Sequence, residues 1–200
     1  MSSAAAAATR TVDLGALELT GEAFAAIVYG FSERNLLAPR ILERLELSAP
    51  ERPFTPTGHY PITQAFKLLA AVEGEMGEAG LMKTGSLIPR YALFPGGEPA
   101  DVRAALQQLD TGYHHNHRRD GRPLWDPVTG QLGEGIGHYA CVELGTRSAR
   151  FHVSSLYPCS FDRGILLGLS RRFEPLVTVS EEPGRCRRQG GEACHYLLRW

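Results

Sequence analysis

Apolar residues recur at helical intervals through the first two thirds of the chain and alternate with polar ones through the last third. In "GEAFAAIVYGFSERN" (21–35), Phe24, Ile27, Val28 and Phe31 fall at the three- and four-residue spacings of one helix face. "PRILERLELS" predicts a second, short helix, and the Pro- and Gly-rich "ERPFTPTGHYP" reads as a loop. Pro61 then sits in the first turn of the next helix, where its missing N–H costs nothing. That helix, "PITQAFKLLAAVEGEMG", places Ile62, Phe66, Leu69 and Val72 on adjoining turns. "GLMKTGSLIPRYALFPGG" reads as a broken, partly helical connection. From Pro99, "PADVRAALQQLDTGYHHNHR" predicts a long helix with Val102, Leu106, Leu109 and Tyr113 as its apolar stripe. Gly112 weakens it by about 1 kcal/mol relative to alanine. The turn-rich "RDGRPLWDPVTGQLGEG" closes the helical half.

Beyond it, "GHYACVEL" and "SARFHVSS" alternate around a tight "GTR" return and predict a β-hairpin. "FDRGILLGLSRRF" is a helix with Phe161, Ile165, Leu166 and Leu169 inward. Arg171 and Arg172 lie in its last turn, where cations suit the helix dipole. "PLVTVSEE" and "CHYLLRW" are strands. Helices followed by ββαββ imply an α+β fold, with a helical N-terminal part packed on an antiparallel sheet. Residues 1–11 read as a disordered tail and 12–200 as a single ligand-binding domain.

Composition narrows the function classes. Among 200 residues, 43% are hydrophobic and 22% charged, an ordinary globular balance with enough chain to bury a core. The net charge of -1 gives no reason to expect nucleic acid. No apolar run reaches the ~20 residues of a membrane span, and "MSSAAAAATR" lacks the basic start of an export signal. A cytoplasmic location follows as the expectation, and with it reduced cysteines.

Two groups of residues carry candidate chemistry. Cys186 and Cys194 face each other across a turn built on Gly190 and Gly191, and Cys159 opens the last helix. Glu181 and Glu182 end the strand that enters the hairpin. These residues admit a cross-strand disulfide, free thiols, or a Cys3Glu metal site tying helix to sheet. Cys141, at an alternating strand position, reads as a small buried hydrophobe. The second group is "LDTGYHHNHRRD", in which Asp110, His114 and His117 share a helical stripe at i, i+4 and i+7. The stripe is open to three readings: a polar helix end, the wall of a ligand pocket, or a metal or haem site.

The segment from "HYACVEL" to Trp200 resembles the 4-vinyl reductase domain family, through "YPCSFDRGILLGLSRRF" and "EEPGRCRRQGGEACHYLLRW". The wider superfamily includes haem nitric-oxide-binding domains and vesicle-tethering (TRAPP-like) subunits. In phenol-sensing members three cysteines and a glutamate hold a structural zinc. The resemblance places these ligands on Cys159, Cys186, Cys194 and Glu182, with Glu181 as the other choice. It also implies a pocket between helices and sheet, for which Tyr113, His114, His117 and His138 are the candidates. Haem-binding relatives carry a tyrosine–x–serine–x–arginine string. It does not occur here, and "TRSARF" lacks the tyrosine.

The expectation is a sensory or regulatory domain with a structural zinc. It binds a small, partly aromatic or apolar molecule, forms a homodimer and signals through a partner protein; no catalytic residue is assigned. Two alternatives stand beside it. One is a metal- or haem-dependent enzyme or sensor using the Asp110/His114/His117 face, and the other an adaptor without a ligand. "GEGIGHY" precedes a strand instead of following one, which fails the context of a dinucleotide loop.

Overall fold

The computed structural model describes residues 12–32, 43 and 57–200. The N-terminal tail and most of "PRILERLELS" lie outside the described residues. Among the described residues four helices carry the architecture: α1 (Gly21–Ser32), α2 (Ile62–Leu87), α3 (Val102–His115) and α4 (Cys159–Arg171). Eight strands among the described residues form two antiparallel sheets. In the first, β1 (Leu17–Thr20) lies between β2 (His59–Pro61) and β3 (His117–Arg119), with β4 (Arg122–Pro123) beyond β3. In the second the order is β5 (Tyr139–Leu144), β6 (Ser148–Val153), β8 (Cys194–Arg199), β7 (Thr178–Glu181). The α+β class and the C-terminal ββαββ order are those read from the sequence. No helix among the described residues is long and apolar enough to cross a membrane.

The second sheet forms because alternate residues bury. Ala149, Phe151 and Val153 on β6 stand beside Leu198, Tyr196 and Cys194 on β8, pair by pair in register, and all six are at most 1% exposed. Their outward neighbours meet solvent, as a one-faced antiparallel sheet requires. A bulge between Cys141 and Glu143 interrupts β5, which leaves Cys141 half-buried instead of in the core.

The first sheet escapes the sequence pattern because its strands have only two to four residues. Its hairpin turns on Asp120 and Gly121, both at positive φ, 50° and 72°. An Asp-Gly pair supplies that backbone at little steric cost.

The partly helical connection expected at 80–97 is helix as far as Leu87, a 3-10 turn to Arg90 and irregular beyond. α2 passes a non-helical Gly77 and runs on to Leu87, with Leu81, Thr84, Gly85 and Leu87 buried beyond the kink as Leu68, Leu69 and Val72 are before it. α2 and α4 cross in near backbone contact. A Cβ at Gly85, Gly164 or Gly168 would stand 2.1 Å from the carbonyl oxygen of Phe161, Met82 or Ser86. α3 begins where Asp101 caps it, accepting the Ala104 N–H at 2.8 Å. Its stripe of Val102, Leu106, Leu109 and Tyr113 is buried.

Candidate functional site

An apolar cavity of about 50 Å³ lies where α1, α3, α4 and the turn Ile88–Arg90 converge. Ile27, Leu93, Leu109 and Ile165 supply apolar wall. Tyr113, Asn116, His117 and Tyr157 supply the polar groups near it. Those polar groups are engaged with the chain itself. Asn116, which ends α3, donates to the Leu93 carbonyl at 2.9 Å and the Gly112 carbonyl at 2.7 Å. Its oxygen accepts from Thr20 Oγ1 at 2.9 Å. Tyr113 donates to the Ile136 carbonyl at 2.7 Å. His117 Nδ1 lies 2.6 Å from the Tyr113 carbonyl, so that nitrogen carries the proton. Nε2 therefore accepts from the Tyr157 hydroxyl at 2.9 Å. Burial holds the ring neutral, with its pKa lowered to about 4.

Of the four expected pocket residues, Tyr113 and His117 line this cavity. His114 and His138 lie outside its lining and form a separate cluster with Asp110. The stripe read on the sequence fails at one point. α3 stops at His115, and Asn116 has φ -81° and ψ 3°, so His117 is the first residue of β3 and leaves the helix face. His138, just before β5, stands in that place. Its Nδ1 is 2.9 Å from Asp110 Oδ2, and Asp110 Oδ1 accepts the Tyr139 N–H at 2.8 Å. His114, fully buried, sets Nδ1 2.8 Å from the Asp110 carbonyl, and burial lowers its pKa.

The three sulfurs of Cys159, Cys186 and Cys194 meet behind α4, with separations of 3.1, 3.2 and 3.5 Å, all three cysteines buried. Burial pushes the Cys159 thiol up to about 12 and raises Cys186. Cys194 goes down in spite of burial, because the Arg187 N–H donates to its sulfur and both other thiols hydrogen-bond with it. Such a trio has the ligand type that a thiophilic ion takes. Glu182 lies apart from it: its carboxylate pairs with Arg150 and is 4.0 Å from His195. The pleat explains the division. Glu181 stands opposite Tyr196 and shares the inward face with Cys194, whereas Glu182 follows onto the outer face. Glu181 is 3.5 Å from Arg188 and contacts the Cys186 thiol.

One buried group had no signal beyond its place in a first helical turn. Asp162 accepts from Tyr139 at 2.6 Å and Ser155 at 2.8 Å, and it pairs with Arg187, which also donates to the Ser155 and Tyr157 carbonyls. Burial nonetheless lifts its pKa to about 7, against the pull of Arg187. This network pins the start of α4 to the closing hairpin.

No protein-family model and no curated protein sequence matches the chain. Solved structures do. One, from a study of haem redox potential and porphyrin distortion, superposes with a TM-score of 0.62 at 14% identity, over 91% of this chain and 100% of that one. The fold is that of the H-NOX domains. An H-NOX protein from S. oneidensis in the Fe(II) ligation state gives 0.58 at 14% identity, over 87% and 94%. An oxygen-binding H-NOX domain related to soluble guanylate cyclases, in its oxygen complex, gives 0.60 at 15%, over 90% and 94%.

These neighbours correct two expectations. They are H-NOX domains, not zinc-bearing phenol sensors, so the assignment to the 4-vinyl reductase family is withdrawn. Zinc as the chain's cofactor is withdrawn with it, since the group named among the neighbours is haem. They stand nearer the haem-dependent alternative.

Haem itself is tested by the residues present. A cavity of about 50 Å³ is far below the ~300–1,000 Å³ that encloses a cofactor-sized ligand. Both ring nitrogens of His117, the histidine at the cavity wall, are already engaged, by Tyr113 and Tyr157. The interior as folded does not fit a porphyrin.

Proposed function

We propose that the chain is a sensory domain for a small, largely apolar molecule of a few heavy atoms, held in the cavity between helices and sheet. The observation that carries this reading is an apolar cavity whose neighbouring polar groups are already paired. A void near 50 Å³ is smaller than the ~150 Å³ that accepts benzene, and a dry apolar lining favours a guest of low polarity. The guest touches α1, α3 and α4 together. It therefore biases any two packings of these helices by its differential affinity for them. A partner protein, or a second copy of the chain, reads the change.

Xenon is the probe. In backbone and methyl NMR spectra of the full chain, saturable shifts at Ile27, Leu109 and Ile165 are expected, and Ile165→Phe, which fills the space, removes them. Unchanged spectra under xenon pressure would overturn the reading. So would a Soret band at one haem per chain after haem-fed expression, which would install the haem-dependent sensor in its place.

A further inference from the structure

Asp110, His114 and His138 form a cluster that the cavity does not use. One ligand atom from each lies within 4.8 Å of the others, and the three come from a helix and from the loop before β5. We propose that these residues bind a first-row divalent cation of the iron-to-nickel group, through one carboxylate and two imidazoles, with coordination positions left open. Two imidazoles and one carboxylate make a borderline ligand set that suits such ions.

Three features of the cluster point the same way. First, His114 is fully buried, and its Nδ1 faces a carbonyl, a pure acceptor, so the proton is on Nδ1 and Nε2 keeps its lone pair. That Nε2 is enclosed and has no hydrogen-bond partner among the described residues, and on the other edge of the ring Nδ1 is 3.5 Å from Asp110 Oδ1. Buried polar atoms are almost always paired, and an unpaired imidazole lone pair is a ligand position. An Nδ1–H held by a backbone carbonyl is also the arrangement that orients ligating histidines. Second, His138 Nδ1 lies 2.9 Å from Asp110 Oδ2, so the two side chains already converge on one point where a cation can take the place of their hydrogen bond. The Tyr139 N–H fixes the other carboxylate oxygen. Third, the cluster is open on one side. A surface cleft lined by Leu106, Gln107, Asp110, Ala140 and Cys141 reaches the carboxylate, and the His138 side chain is 33% exposed. Ligands ~2.1 Å from one ion lie about 3–3.5 Å apart, and His138 Nδ1 already stands 2.9 Å from Asp110 Oδ2.

Cobalt(II) added to chelator-treated full-length protein tests the site. The expected result is one cobalt per chain with d–d bands of nitrogen and oxygen ligation. His138→Ala and Asp110→Asn weaken it at least about tenfold, the scale on which even the loss of a ligand's supporting partner acts. Circular dichroism checks that both variants are folded, and His138, on the surface, leaves the core intact. Three results overturn the proposal: no cobalt bound, cobalt bound only with a sulfur-to-metal charge-transfer band, or binding indifferent to His138. The xenon response is read separately, so failure here leaves the cavity reading standing, and the reverse holds as well.

Discussion

His117 makes the fold's acid sensitivity calculable. In the native chain its imidazole is enclosed, donates to Tyr113 and accepts from Tyr157, and its pKa falls to about 4. In the unfolded chain it returns to ~6.5. The unfolded state therefore binds more protons between these values, and stability drops as pH falls through that window. The contribution is fully present above pH ~6.5. By pH 4 about 3 kcal/mol is lost, and the loss levels off below that. Asp162 acts in the opposite sense. Its pKa rises to about 7 in the fold, so the folded state holds the extra proton between ~4 and 7, and its own contribution falls as pH rises. The two slopes overlap, so a stability curve of the unaltered protein alone does not isolate either. The assay is urea unfolding from pH 4 to 8 on the native sequence and on His117→Gln, which retains a polar side chain. The difference between the curves is expected to shrink by about 3 kcal/mol on acidification from pH 7 to 4. A flat difference, or one that grows, would refute a neutral, buried His117.

Other expectations follow from single contacts. Asp162→Asn removes the titration at this site, and the variant should lose the decline between pH ~4 and 7 that the native residue causes, seen in the same urea series. Gly164→Ala puts a methyl 2.1 Å from the Met82 carbonyl, and despite the better helix propensity of alanine it should lower stability by about 1–3 kcal/mol in thermal unfolding. Tyr157→Phe strips His117 Nε2 of its donor and should cost about 1–3 kcal/mol, read from the midpoint of urea unfolding at pH 7. A disulfide-exchange reagent should titrate one accessible thiol, Cys141, in native protein, with the other three reacting only on unfolding, because Cys159, Cys186 and Cys194 are buried.

Much of the second sheet was legible because its strands are long enough to alternate and its helix is amphipathic over three turns. Phe151 and Tyr196 bury opposite each other where the period-two pattern puts them. The first sheet was not, since two- to four-residue strands contain too few positions to show a period. α2 was cut short at the glycines, because local propensity disfavours Gly77 and only packing against α4 carries the helix to Leu87. At the candidate site the sequence named the right stretch and assumed that the helix ran three residues too far. One C-cap, at Asn116, sends His117 to the cavity and leaves Asp110 and His114 to meet His138. Asp162 and Arg187 could not be paired in advance, because 25 residues separate them and only the tertiary fold brings them together.

Where α4 meets α2, bare main chain replaces interlocking knobs. Gly164 and Gly168 present no side chain to the facing backbone, so the two rods sit closer than any larger residue at either position would let them. On the proposed reading, a guest beside Ile165 rests on the rod that this seam seats against α2 and that Asp162 and Arg187 anchor to the terminal hairpin.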